Sequence, residues 1–168
     1  DTDLQLAQNL GCRGYKLAPD GLSWPDIVTD LLATPRTATV ARETKETRIN
    51  VQLNLDASSP LHIDTGIGFF DHMLEQLGKH AGIALQVECK GDTHIDEHHT
   101  VEDCGIAIGQ AFKRALGDKF GIARYGFSLP MDEASAGVLL DISNRGYFQF
   151  KGSFPREAVG TLPTELVP

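Results

Sequence analysis

Arg48-Ile49-Asn50-Val51-Gln52-Leu53-Asn54-Leu55 alternates polar and apolar side chains without a break. Successive residues of a strand point to opposite faces, so Ile49, Val51, Leu53 and Leu55 would share a buried face while Arg48, Asn50, Gln52 and Asn54 share a wet one. Extended back to Ala38, the alternation reads as one half-buried antiparallel strand over 38–55. Downstream come a polar turn at Ser58-Ser59-Pro60 and a glycine-containing run. Phe69, Phe70, Met73, Leu74 and Leu77 then fall at helical spacing and predict a helix over 69–80. Ile83 to Cys89 reads as another strand and Gly91-Asp92 as a turn. Val101, Cys104, Ile108, Phe112 and Ala115 predict a second helix over 98–116, stopped at Gly117. The order strand, helix, strand, helix implies an α+β layer with helices on one face of a mostly antiparallel sheet.

Upstream, residues 1–36 read as helical fragments broken by Gly11, Gly14, a Pro19-Asp20-Gly21 turn and Pro25, with Trp24, Ile27, Leu31 and Leu32 as an apolar stripe. Beyond Tyr125-Gly126 the pattern restarts. Met131-Asp132-Glu133 followed by Val138-Leu139-Leu140-Asp141-Ile142 echoes Thr44-Lys45-Glu46 followed by Val51-Gln52-Leu53-Asn54-Leu55, with a glutamate five residues before the first valine in both. That echo suggests the start of an internal repeat.

The 168 residues carry 15 basic and 23 acidic side chains, a formal charge of −8, which argues against a nucleic-acid partner. No apolar run approaches the roughly 18 residues that span a bilayer, and the opening Asp1-Thr2-Asp3-Leu4-Gln5 is unlike a signal sequence. A cytoplasmic protein with no membrane partner is expected. Cys12, Cys89 and Cys104 lack the close pairing of a zinc knuckle or disulfide framework and are expected to be free, buried thiols. The first residue is not methionine, so the chain is expected to be a piece of something longer.

The segment richest in chemistry is His94-Ile95-Asp96-Glu97-His98-His99-Thr100-Val101-Glu102-Asp103. On a helix His98 and Glu102 stack on one face, so a nitrogen and an oxygen can close on one cation. His99 lies about 100° further round, so the economical solution is two metal ions with Glu102 near both histidines. Asp96 and Glu97 are explained by helix capping alone, but the paired histidines are not, because a cation is disfavoured at that end. His72, on the polar side of the first helix, is a second candidate ligand; His62, His80 and His94 read as surface or structural residues. His94-Ile95-Asp96-Glu97-His98 also matches the H-x-x-E-H pattern of a zinc peptidase class, which requires a helix already formed at His94. Gly91-Asp92 upstream and β-branched Thr93 and Ile95 beside it favour turn or extended structure instead. Arg124 and Arg145 read either as candidates for gripping an anion or as ordinary surface charges, and Glu46, at the entry of the alternating strand, has the same ambiguity.

Arg42-Glu43-Thr44-Lys45-Glu46-Thr47, Gly68-Phe69-Phe70-Asp71-His72-Met73, Ile95 through Asp103 and Arg124-Tyr125-Gly126 together closely resemble the imidazoleglycerol-phosphate dehydratases of histidine biosynthesis, from about Arg36 to Pro168. The resemblance implies a duplicated α+β fold and two manganese ions per complete site. It also implies a homo-oligomer with sites at subunit interfaces. By position it makes His72, His98, His99 and Glu102 metal ligands, Glu46 and Glu102 catalytic, and Glu46, Arg124 and Arg145 substrate-binding. Near Arg145 this chain has Ser143-Asn144-Arg145-Gly146 where the family usually has Ser-Gly-Arg-Pro, which bears on where that arginine sits.

The implied reaction takes imidazole glycerol phosphate, a phosphorylated imidazole, to imidazole acetol phosphate and water. Ionising the ring lets it expel the side-chain hydroxyl through a diazafulvene-like intermediate, after which a base removes the carbon proton. The opening Asp1 to Gly11 resembles the last acidic motif of a haloacid-dehalogenase-type phosphatase, with Asp3 its surviving acid. The domains expected are therefore a phosphatase-like tail and linker at 1–36, a first dehydratase half-domain at 37–125, and the start of an incomplete, truncated second half at 126–168. The family's second half carries further ligands past Pro168, so the fragment alone is expected to be inactive or nearly so. A non-catalytic metal-binding assembly module is the alternative of a different class.

Overall fold

The computed structural model describes residues 2–19, 21–33, 35–119 and 121–168. Asp1 of the opening acidic motif and Asp20 of the expected Pro19–Gly21 turn lie outside the described residues. By contact the chain forms two compact units, Asp1–Gly117 with Phe154–Pro168, and Asp118–Ser153. Among the described residues no helix is long and apolar enough to cross a membrane.

The first unit is built on a four-stranded sheet. Strand β1 (Thr37–Glu43) pairs antiparallel with β2 (Thr47–Asn54), β2 pairs antiparallel with β4 (Ala84–Gly91), and β4 pairs parallel with β3 (Leu61–Asp64). Register explains the core. Val40, Val51, Val87 and Ile63 fall in one cross-strand row, and Ala38, Leu53, Leu85 and Leu61 in the next. Val51, Leu85 and Val87 have no exposed surface, so truncating Leu85 to alanine would cost about 3 kcal/mol.

The expected single strand over 38–55 is thus a hairpin. Its turn changes parity, so Val40 points inward although it is in phase with the wet residues of β2. Thr44 makes the turn. Its Oγ1 accepts the backbone N–H of Glu46 at 3.2 Å and of Thr47 at 3.0 Å, which gives the chain a local alternative to continuing the strand. Arg36 closes the open end through Asp56, with Nε 2.8 Å from Oδ1.

Two helices cover the inward face, as expected of an α+β layer. Helix α3 (Gly68–Ala81) links β3 to β4 as the crossover that a parallel pair requires, and it ends at Gly82 in the left-handed region with φ 66°. Strand β3 escaped the sequence reading because four residues offer too little alternation and its partner lies beyond a helix. Helix α4 (Glu97–Leu116) lays Thr100, Asp103, Cys104, Ala107, Ile108, Ala111 and Ala115 against the sheet. The small side chains in that stripe let it sit close. Cys89 and Cys104 are free and buried, and Cys12 is free and half-buried.

The approach is tightest where β4 meets the start of α4. A Cβ at Gly91 would collide with Thr100 Oγ1 and lie 3.2 Å from Thr100 Cβ. Thr100 has no exposed surface, so it cannot yield outward. Gly91→Ala is expected to cost roughly 1–3 kcal/mol by overpacking. Adding Thr100→Ala should return most of that loss, and urea midpoints of the two single variants and the double variant check it.

Helices α1 (Thr2–Asn9) and α2 (Trp24–Ala33) precede the sheet. Pro25 does not break α2. It occupies the first turn, where its missing N–H has no intrahelical partner to lose. Of the predicted stripe only Ile27 is buried, while Trp24, Leu31 and Leu32 are exposed.

The second unit carries a hairpin of β5 (Tyr125–Met131) and β6 (Ala134–Leu140), with Asp132 in the turn at φ 50°. Strands β7 (Ala158–Val159) and β8 (Leu162–Pro163) form a small ribbon in the first unit, with Leu162 buried.

Candidate metal and substrate site

The histidine cluster sits where α4 begins. Asp96 is the N-cap, in extended backbone, and its carboxylate accepts the His98 N–H at 2.8 Å. Helix capping therefore accounts for Asp96. His94 lies in the turn before the helix, so it and His98 cannot share a helical face as the H-x-x-E-H motif demands. The peptidase geometry is absent.

His98 and Glu102 stack as their spacing requires, with Nε2 and Oε2 3.2 Å apart and both side chains more than half exposed. The His99 ring lies 6.4 Å from that of His98 at an interplanar angle of 86°. Its Nδ1 faces Asp92, whose two carboxylate oxygens are 3.2 and 3.3 Å away. The hydrogen bond to Asp92 is the main reason His99 holds its proton to higher pH than an ordinary histidine. The negative charges of Asp92, Glu46 and Asp96 add to the effect and desolvation opposes it. Glu46, exposed at the β1–β2 turn, is therefore close enough for its charge to be felt at His99.

A second carboxylate pins that turn to the helix. Asp103 is 9% exposed and accepts four hydrogen bonds. Arg42 gives two of them to Oδ1, from Nε at 3.0 Å and a terminal nitrogen at 2.6 Å. Thr47 Oγ1 at 2.6 Å and Thr44 Oγ1 at 3.2 Å bind Oδ2. Because Thr44 also binds the Glu46 N–H, the chain of contacts runs from α4 through Asp103 and Thr44 to the backbone of Glu46.

The structure thus brings His98, His99, Glu102 and Glu46 into one neighbourhood. His72 is exposed on α3, its ring 6.2 Å from that of Phe69. Just before it, Asp71 accepts the Thr65 N–H at 2.9 Å, tying the start of α3 to the end of β3. Arg124 and Arg145 belong to the second unit. Arg124 is exposed and its Nε donates to Asp141 at 2.9 Å. Asn144 adopts φ 63°, the left-handed conformation a glycine would take, so the backbone before Arg145 keeps that turn without the glycine.

Asp92 and Asp103 were missed by sequence reasoning. For Asp103 a signal existed, since it is a carboxylate on the buried stripe of α4. Asp92 showed only as part of a turn.

Among the described residues no three histidine, cysteine or acidic side chains converge closely enough to hold an ion by themselves. The donors still suit manganese in kind, being imidazole nitrogens and carboxylate oxygens arranged as two half-sites, His98 with Glu102 and His99 backed by Asp92.

Fold and cluster together define an α+β protein whose histidine-bearing helix start is furnished with nitrogen and oxygen donors. A sequence model of the family described as imidazoleglycerol-phosphate dehydratase matches residues 65–168, and the chain belongs to that family. The match begins later than Arg36, so the likeness at Arg42–Thr47 rests on whole-chain relatives. The histidine biosynthesis bifunctional protein HisB of Stenotrophomonas maltophilia strain K279a is 58% identical over 171 residues, which cover 99% of this chain and 48% of that protein. Its namesake from Xanthomonas campestris pv. campestris strain B100 is 51% identical over 189 residues, with 99% and 50% covered. The chain spans about half the length of the curated relatives it matches. The crystal structure of imidazoleglycerol-phosphate dehydratase from Staphylococcus aureus subsp. aureus N315 matches with a TM-score of 0.68 at 39% identity, covering 78% of this chain and 72% of that one.

Proposed function

We propose that the protein converts imidazole glycerol phosphate to imidazole acetol phosphate and water, a lyase step of histidine biosynthesis, using manganese held by His72, His98, His99 and Glu102. The observation that carries this reading is the pair of unlike half-sites at the start of α4. Manganese, when bound, supplies Lewis-acid stabilisation of charge on the substrate ring.

This chain's residues supply the rest. Glu46, exposed at the β1–β2 turn with its charge felt at His99, can accept or return a proton at its carboxylate or fix the substrate by hydrogen bonds. Glu102 would help His98 hold the ion, and its carboxylate could take up or return a proton. Arg124 and Arg145 offer guanidinium forks for the phosphate, and fixing that end orients the reacting carbons. Asp141, 2.9 Å from Arg124 Nε, restrains the first of these.

The duplicated plan is part of the proposal and is supported by register. Placing Ala38 on Tyr125 puts Leu53 on Leu140, Val40 on Phe127, Val51 on Val138 and Glu46 on Glu133. The inward face of the first hairpin then corresponds to Tyr125, Phe127, Leu129, Val138 and Leu140, which are exposed in the second. Residues 1–36 are read as the tail of a phosphatase-like region and a linker, in keeping with the bifunctional naming of relatives that match the whole chain. A homo-oligomer with shared sites belongs to the same reading.

The test is formation of imidazole acetol phosphate by the full-length protein with and without Mn2+, with bound metal measured on the same sample. Metal-dependent turnover is expected. Metal retained without turnover would instead describe a binding module. Arg124→Ala is expected to raise KM about tenfold or more by removing a charge-assisted contact worth about 1.5–3 kcal/mol, and initial rates across substrate concentration check it.

A further inference from the structure

The two adjacent histidines stand in different settings. His98 meets its acid, Glu102, on its own helix, through Nε2. His99 meets Asp92, which lies outside the helix, through Nδ1. Asp92 is itself held in place, since its backbone carbonyl accepts the N–H groups of Ile95 at 2.7 Å and Asp96 at 3.3 Å, and its side chain is 17% exposed. An ionised carboxylate can only accept hydrogen bonds, so the ring nitrogen facing it must carry the hydrogen. In neutral imidazole the lone pair is then left on the other nitrogen.

We propose that Asp92 is a positioning residue that fixes His99 as the Nδ1–H tautomer and so presents Nε2 as a metal donor. This rests on the metal reading above, and it goes further in making the two half-sites unequal. His98 faces a carboxylate that is itself one of the proposed ligands, whereas His99 faces one, in the turn between β4 and α4, that is not. Losing Asp92 should then release the His99 ring while leaving the His98–Glu102 pair in place.

The test reads the tautomer and the metal separately, in the full-length protein. Long-range proton–nitrogen correlation spectra of the 15N-labelled, metal-free protein, at a pH where the ring is neutral, report which nitrogen carries hydrogen. His99 is expected as Nδ1–H in the wild type, shifted towards Nε2–H in Asp92→Ala, and restored in part by Asp92→Asn, whose amide oxygen still accepts. Calorimetric titration with Mn2+ is expected to show one class of site weakened about 10–100-fold in Asp92→Ala, the range for losing a group that orients a ligand, with the other class unchanged. An Nε2–H ring in the wild type, or an Asp92→Ala titration identical to wild type, would overturn the proposal. If the wild type bound no Mn2+, the metal reading itself would fail, and with it the donor role of Nε2, while the spectra would still decide whether Asp92 sets the tautomer.

Discussion

His98→Ala is expected to lower turnover of the full-length protein by about a thousand-fold or more while leaving its fold intact. The two halves of that expectation come from different observations. The His98 side chain is 54% exposed and its contact is with Glu102, itself 62% exposed, so its removal opens no cavity in the core. Circular dichroism and the thermal midpoint should therefore match wild type closely, as for most surface changes. The activity loss follows from chemistry. If His98 and Glu102 close on one ion, alanine leaves a lone carboxylate. Losing a Lewis-acid contribution of about 4 kcal/mol corresponds to about a thousand-fold in rate. His94→Ala is the matched control. It removes an imidazole four residues earlier, from a turn rather than the helix, and is expected to leave turnover and metal content unchanged. Equal losses in both variants would mean that the helical pairing of His98 and Glu102 carries no chemistry.

That pair was legible in the sequence because a helix converts spacing into proximity: four residues apart is already a statement about geometry. The same holds for the stripe Cys104, Ile108, Phe112 and Ala115, and for the alternation from Ile49 to Leu53. Legibility fails where contacts cross the chain. Asp103 meets Arg42 from 61 residues away, and no periodicity points from one to the other. The β1–β2 turn is hidden because Arg42 to Arg48 is an unbroken polar run with no Gly, Pro, Asn or Asp to mark a reversal, while the buried parity switches across it. Strand β3 is short and parallel to a partner beyond a helix, so it lacks both length and a hairpin signal. Pro25 mimics a helix break through its missing donor, yet in a first turn that donor is not needed. Asp92 took its meaning from a turn whose geometry composition does not encode. For the candidate site, then, the sequence exposed the residues that offer donors and concealed those that aim them.

Asp103→Ala is expected to be the most destabilising polar substitution in the first unit, by about 2–4 kcal/mol. Four hydrogen bonds end on this one carboxylate. Removing it leaves the Thr47 hydroxyl, on a residue 4% exposed, with only the Thr44 hydroxyl at 3.0 Å as a partner, and it takes the carboxylate from the guanidinium of Arg42, whose side chain is 30% exposed and so still partly reaches water. For a chain of this size the loss should appear as a fall in Tm of roughly 5–15 °C. The penalty should also depend on pH, in a direction fixed by the native environment. Burial is the largest single influence on the Asp103 carboxyl and raises its pKa. The hydrogen bonds from Thr47 and Arg42, the Arg42 charge and the Thr44 hydroxyl together outweigh it, so the net pKa lies below the ordinary carboxylate value. A carboxyl with a depressed native pKa binds protons more readily when unfolded. Its stabilisation is therefore fully present above the unfolded value of about 3.9 and is lost as pH falls through the native one. Thermal midpoints of wild type and Asp103→Ala should accordingly lie far apart at neutral pH and converge below about pH 4. Asp103→Asn should fall between them at neutral pH, because it keeps an acceptor oxygen but loses the charge. A gap between wild type and Asp103→Ala that stayed constant into acid would mean the carboxylate acts through shape alone. The same substitution frees the turn that carries Glu46, so kcat should fall further than the lost stability explains, with turnover compared at a temperature where both proteins remain folded.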